Sequence, residues 1–145
     1  MLSLSLKGEW RVQEDGTEVS ISATVPGCIH TDLLRAGRIP NPHYRDNEQQ
    51  AVQWVSERNW DYTRSFEVDA DCLSHESVLL RCEGLDTLAT VFVNDVEIGG
   101  ADNFHRVWEF DVKAVLKPGE NSIRVRFDSV LPLTEKMDTE RPMPV

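Results

Sequence analysis

The chain has 145 residues, 40% of them hydrophobic and 28% charged, which are the proportions of an ordinary soluble globule of one domain. Its formal net charge of −10 argues against nucleic acid or an anionic membrane surface as a main partner, because phosphate binding needs a basic patch that releases counterions. No apolar run approaches the ~20 residues needed to cross a bilayer.

The opening MLSLSLKGEW lacks a charged n-region and alternates, with Leu2, Leu4 and Leu6 on one face and Ser3 and Ser5 on the other, so it reads as a strand and not as a signal peptide. An unusual stretch follows from Val25 to Phe66, aromatic, polar and punctuated by prolines, with strand-like segments on both sides. Long connections of this kind concentrate function. Within it, Thr31 to Ala36 predicts a short helix stopped by Gly37. Asp46 to Arg58 reads as a longer helix, with Asp46 as cap, Gln49 three residues on, and Ala51, Trp54, Val55 and Arg58 on one face; the alternative is an irregular loop with one helical turn.

Period-two alternation then dominates. Trp60, Tyr62, Phe66 and Val68 share a face, followed by Val78, Leu80 and Cys82, the run Leu88 to Val93, then Trp108, Phe110 and Val112, and Ile123, Val125 and Phe127. Arg124 and Arg126 fall on the solvated face of the last of these strands. Asn94-Asp95 suits a tight hairpin, and Lys117 to Asn121 supplies a second turn around Pro118 and Gly119. Many short strands separated by such turns predict an all-β sandwich or barrel over residues 1–129. The tail, 130–145, contains Pro132, Pro142 and Pro144, loses the alternation and reads as a linker or a truncated strand.

No residues are placed by spacing as a catalytic centre. Asp69, Asp71 and Asp86 read as turn formers, and Asn47-Glu48 opens a predicted helix, where a carboxylate favours the macrodipole. His30, His43, His75 and His105 are scattered and form no HxH or HExxH pattern, so no metal is expected. There is no GxSxG elbow and no phosphate-binding glycine loop, and no cofactor is implied. Cys28, Cys72 and Cys82 are odd in number and lack ligand spacing, which points to a reducing compartment, taken as the cytoplasm. Aromatic residues are the better lead, because sugars stack their C–H faces on rings while Asn and Asp bond hydroxyls. Trp60, Tyr62 and Trp108 obey strand alternation and are expected in the core; Tyr44 and Trp54 fit either core or ligand contact.

Several stretches together carry a family resemblance. LKGEW at the start, VPGCIHTDLLRAGRIPNPHYRDNE with Trp54 and WDYTRSF after it, EGLDTLATVFVND, and DNFHRVWEFDVKAVLKPGEN together resemble the amino-terminal domain of glycoside hydrolase family 2 enzymes, and among them most closely the β-mannosidases. The resemblance implies a jelly-roll β-sandwich, galactose-binding-domain-like, with one or two short helices in a long connection. It also implies an immunoglobulin-like domain and a catalytic (β/α)-barrel in the same polypeptide, the barrel supplying both catalytic glutamates. In that family an Asn-Glu pair carries the acid/base in the barrel, so Asn47-Glu48 is not expected to be that pair. A W-D-W-G-P motif, whose Asp reaches the sugar, would follow the present RPMPV.

The expectation is therefore the sugar-binding domain of a retaining β-mannosidase-like hydrolase, inactive by itself, with a β-mannoside as substrate of the full enzyme. Tyr44, Asn47, Glu48 and Trp54 are the residues expected to border the sugar. Alternatives are a free-standing carbohydrate-binding module, the equivalent domain of a β-galactosidase or β-glucuronidase, or a purely structural interaction domain.

Overall fold

A computed structural model of the protein describes residues 1–141. Eight strands make up the fold: β1 (Gly8–Glu14), β2 (Ser20–Val25), β3 (Trp60–Val68), β4 (Leu79–Cys82), β5 (Leu88–Val93), β6 (Val96–Ala101), β7 (Trp108–Asp111) and β8 (Gly119–Asp128). Among the described residues α1 (Ile29–Arg35) and α2 (Ala70–Leu73) lie between strands and α3 (Leu131–Glu140) follows β8. Six strands form one sheet in the order β2-β1-β3-β8-β5-β6, every pair antiparallel, and β4 and β7 form a second, two-stranded sheet. This is the expected all-β sandwich.

Alternation places the core. Trp10 and Val12, Ala23, Trp60 and Tyr62, Ala89, Val91 and Val93, and Ile123 and Val125 all turn inward from the large sheet and are buried together. Leu80 and Cys82 from β4 and Trp108 and Phe110 from β7 pack onto this cluster from the opposite layer. The layers meet closely at Gly99, where an added Cβ would lie 2.4 Å from the Phe110 ring. On the outer face Arg124 is half-buried, 3.3 Å from Asp61 and with its guanidinium 3.8 Å from the centre of the Phe92 ring. Arg126 pairs with Asp15 at 2.7 Å and with Asp128 at 3.0 Å. The hairpin of β5 and β6 turns at Asn94 and Asp95, both with positive φ (50° and 64°), as a tight turn of this kind requires. Asn94 also bonds the buried Asn121, tying the hairpin to the Lys117–Asn121 turn.

Three expectations are corrected. Leu2, Leu4 and Leu6 are not in a strand: pairing begins at Gly8 opposite Val25, and the segment before it has no partner strand. Leu2 and Leu4 are exposed, while the Leu6 carbonyl accepts from Trp10 Nε1 at 2.7 Å and Arg64 Nη1 at 2.8 Å. Asp46 to Arg58 is not one regular helix but a π-helical turn, Glu48–Val52, followed by a 3₁₀ turn, Gln53–Glu57. The break falls at Val52 (φ −122°); of the expected face, Val55 is buried, Ala51 and Trp54 pack half-buried against the core and Arg58 is exposed, while Val52 joins the core in addition. The segment after Asp128 is not a strand over Leu131–Glu140 but α3, with Pro132 in its first turn, where a missing N–H is no loss. Pro142 and Pro144 lie outside the described residues.

Candidate functional site: the connection between β2 and β3

Residues 26–59 leave the sheet after β2 and return to it at β3. Seven residues make α1, which Gly37 (φ +69°) terminates, and Leu33 and Ile39 drop into the core beneath it. A helix this short has no stability of its own, so its anchors decide its position. The chief polar anchor is Asp32, 1% exposed, whose Oδ2 accepts from the Tyr62 hydroxyl at 3.0 Å. Its Oδ1 accepts from the Thr24 amide at 3.2 Å and from Arg35 at 3.4 Å. Burial, with Asp32 beside it, pushes the Tyr62 phenol far above its ordinary value, so the hydroxyl keeps the proton it donates.

The second half of the connection is held by a different residue of the same strand. Trp60 Nε1 donates to the Val55 carbonyl at 3.0 Å, and Val52 and Val55 are buried beside it. Between the two halves lies an open cavity of about 430 Å³, lined by His30, Glu48, Gln49, Val52, Gln53 and Ser56. Its wall is mostly hydrogen-bonding groups over one apolar side chain, and Glu48 is the single acid in it.

The four residues singled out from the sequence are not gathered at one point. Glu48 lines the cavity. Tyr44 is exposed on the surface of the connection, with the Arg45 guanidinium 5.2 Å from its ring centre. Asn47 spends its side-chain amide on the Asn41 carbonyl at 3.0 Å and thereby braces the loop. Trp54 is half-buried, donates to the Ala51 carbonyl at 3.0 Å and lies against Trp60 with ring centres 6.1 Å apart. Of the three aromatics expected in the core, Trp60 and Tyr62 are buried and Trp108 is half-buried. Sequence reasoning missed His30, Gln49, Gln53 and Ser56 as lining residues. Membership of the same unusual connection was the one signal available, and it does not say which residues face one another. Among the described residues no three His, Cys, Asp or Glu side chains are grouped as a metal site needs.

The model of the family described as glycosyl hydrolase 2 galactose-binding domain-like matches residues 10–145. The chain belongs to this family. It is the amino-terminal domain type of family 2 glycoside hydrolases, and its relatives are of the β-mannosidase kind. It is 37% identical to the β-mannosidase of Bos taurus over 129 residues, 89% of this chain and 14% of that protein. With the β-mannosidase of Rattus norvegicus it shares 37% over 133 residues, 92% of this chain and 15% of that protein. The crystal structure of β-D-mannosidase from Dictyoglomus thermophilum superposes with a TM-score of 0.91 at 38% identity, covering 97% of this chain and 17% of that one. A β-glucuronidase from Ruminococcus gnavus shares the fold at 20% identity and a TM-score of 0.63, over 87% of this chain and 21% of its own. The chain thus spans about one-seventh of the length of the curated relatives it matches.

Proposed function

We propose that this chain is the sugar-binding domain of a retaining β-mannosidase-like glycosidase, that the whole enzyme hydrolyses terminal β-mannosides, and that the connection between β2 and β3 helps to shape its substrate pocket. One observation carries the reading. Identity and superposition are both far higher against β-mannosidases (38%, TM-score 0.91) than against a β-glucuronidase of the same fold (20%, 0.63). The substrate class follows from those relatives.

The domain alone is proposed to be inactive. Retaining hydrolysis needs two carboxyl groups about 5–5.5 Å apart across the scissile bond, and the cavity has one acid in its lining, Glu48. The immunoglobulin-like domain and the (β/α)-barrel of the family are the proposed partners within the same polypeptide, with the barrel supplying both glutamates. Among the residues first expected at the sugar, Glu48 and Tyr44 remain the proposed sugar contacts, supported by the place of Glu48 in the cavity lining and by the exposure of Tyr44, whereas Asn47 is engaged with the Asn41 carbonyl and Trp54 with Trp60. All three cysteines are free thiols, which supports a reducing, cytoplasmic compartment.

The test compares this chain with the longest polypeptide its gene encodes, each assayed on an aryl β-mannoside. Turnover by the long form only is expected. Turnover by this chain alone overturns the reading, and saturable sugar binding by this chain in calorimetry turns it into that of a self-sufficient binding module.

A further inference from the structure

The two walls of the cavity are separate pieces of chain, and both are tied to the same strand. His30 stands on α1, whereas Glu48, Gln49 and Gln53 stand on the π-helical and 3₁₀ turns. All three elements are too short to hold their own orientation in water. On β3, Trp60 and Tyr62 are next-nearest neighbours on the inner face, and each sends one buried hydrogen bond of 3.0 Å to a different wall. Tyr62 reaches α1 through Asp32, two residues from His30; Trp60 reaches the 3₁₀ turn at the Val55 carbonyl.

The apolar anchors do not explain this division. Leu33 and Ile39 press one half of the connection into the core and Val52 and Val55 press the other, which fixes depth. Apolar contact is non-directional and leaves each short element free to slide or roll along the core surface. A buried hydrogen bond of ordinary length is directional, and leaving its groups unpaired is costly, so each wall is tied in register to one atom of β3, beside the Thr24 amide on Asp32 in one wall and the Ser129 hydroxyl on the Ser56 carbonyl in the other. Because the two atoms belong to adjacent inward side chains of a strand paired on both edges, their separation is fixed by the sheet itself.

We propose that Trp60 and Tyr62 are positioning residues that set the gap between the walls of the cavity, Tyr62 placing His30 and Trp60 placing Glu48, Gln49 and Gln53. The consequence for sugar recognition rests on the function proposed above; the division of labour between the two residues does not. In the whole enzyme the gap then governs how well substrate fits, so loosening either wall weakens substrate binding more than the chemical step.

The test has two arms. In this chain, Tyr62→Phe and Trp60→Phe are compared by NMR, reading the His30 imidazole and the Gln49 and Gln53 side-chain amides. Tyr62→Phe is expected to move the His30 signals and leave the two glutamine amides in place, and Trp60→Phe to do the opposite. A lowered thermal midpoint with every one of these signals unmoved, or the same shifts from both variants, overturns the proposal. Should Tyr62→Phe fail to fold, Asp32→Asn takes its place, and the His30 signals must move. In the longest polypeptide, Tyr62→Phe is expected to raise KM for an aryl β-mannoside several-fold at unchanged kcat; an unchanged KM overturns the claim that the gap matters to substrate. Absence of any mannoside turnover in the unaltered polypeptide sinks the proposed function instead and leaves the NMR result standing.

Discussion

Tyr62 donates its hydroxyl proton to Asp32 at 3.0 Å across 30 residues of sequence, with Asp32 1% and Tyr62 8% exposed. A hydrogen bond to a charged group contributes about 1.5–3 kcal/mol, and Tyr62→Phe is expected to lower the unfolding free energy by that amount. Asp32→Ala is expected to cost more, about 3 kcal/mol or beyond, because the Thr24 amide and the Tyr62 hydroxyl both lose their acceptor. Urea unfolding of the two variants checks the order; a larger loss for Tyr62→Phe contradicts it.

Alkaline pH should unfold the protein earlier than its exposed groups require. Burial pushes the Cys82 thiol up from 9.0 to about 11. Between those values the unfolded chain has released this proton and the folded chain still holds it, so stability present below pH 9 falls as pH rises, by about 1.4 kcal/mol per pH unit. Tyr62, raised above 10.0, acts in the same direction at higher pH. Unfolding free energies measured from pH 8 to 11 should therefore slope downward, and Cys82→Ala should flatten the part of the slope beginning near pH 9. An unchanged slope in that variant removes Cys82 as its source.

Gly99 marks a close meeting of the two layers. An added Cβ would lie 2.4 and 2.7 Å from atoms of the Phe110 ring, so Gly99→Ala must displace that ring or the strand. Overpacking of this kind costs about 1–3 kcal/mol. The cause is checked by a double-mutant cycle: in a Phe110→Ala background most of the Gly99→Ala cost should vanish. An equal cost in both backgrounds assigns the effect to the backbone of β6.

Asn121 is 1% exposed and fully engaged, accepting from Lys117 N at 2.9 Å and Asn94 Nδ2 at 2.8 Å and donating to the carbonyls of Lys117 and Gly119. Asn121→Ala strands several buried polar groups at once, each costing about 1–3 kcal/mol. Its thermal midpoint should consequently fall further than that of Ser122→Ala, the exposed neighbour on the same strand. Equal midpoints would mean that water takes over the Asn121 contacts.

The strands were readable because one-sided burial writes itself into the chain at period two: β3, β5 and β8 carry Tyr62, Val91 and Val125 inward where alternation puts them. Alternation names a face, however, and not a partner. Leu2 and Leu4 alternate as well as any strand and remain exposed, because no neighbouring strand runs beside them. The 46–58 stretch carries apolar residues compatible with a regular helix, and tertiary packing overrode that local geometry by drawing Val52 into the core beside the expected Val55. Pro132 read as a breaker because its position relative to a helix start is invisible without the helix. The cavity suffered most. Its walls come from elements that the sequence separates, and the atoms that align them, Asp32 Oδ2 and the Val55 carbonyl, give no pattern to read.

The position of β8 has a consequence for how the protein is made. Though the last of this sheet's strands in sequence order, it is inserted between β3 and β5, pairing from Trp60↔Phe127 to Val68↔Gly119 on one side and from Leu88↔Asp128 to Val93↔Ile123 on the other. Until it emerges, the nascent polypeptide holds two half-sheets with raw edges and nothing to join them. Ribosome stalling or premature termination ahead of Gly119 would therefore release a sticky intermediate, and a chaperone that shields extended segments would have its work cut out at that moment of synthesis.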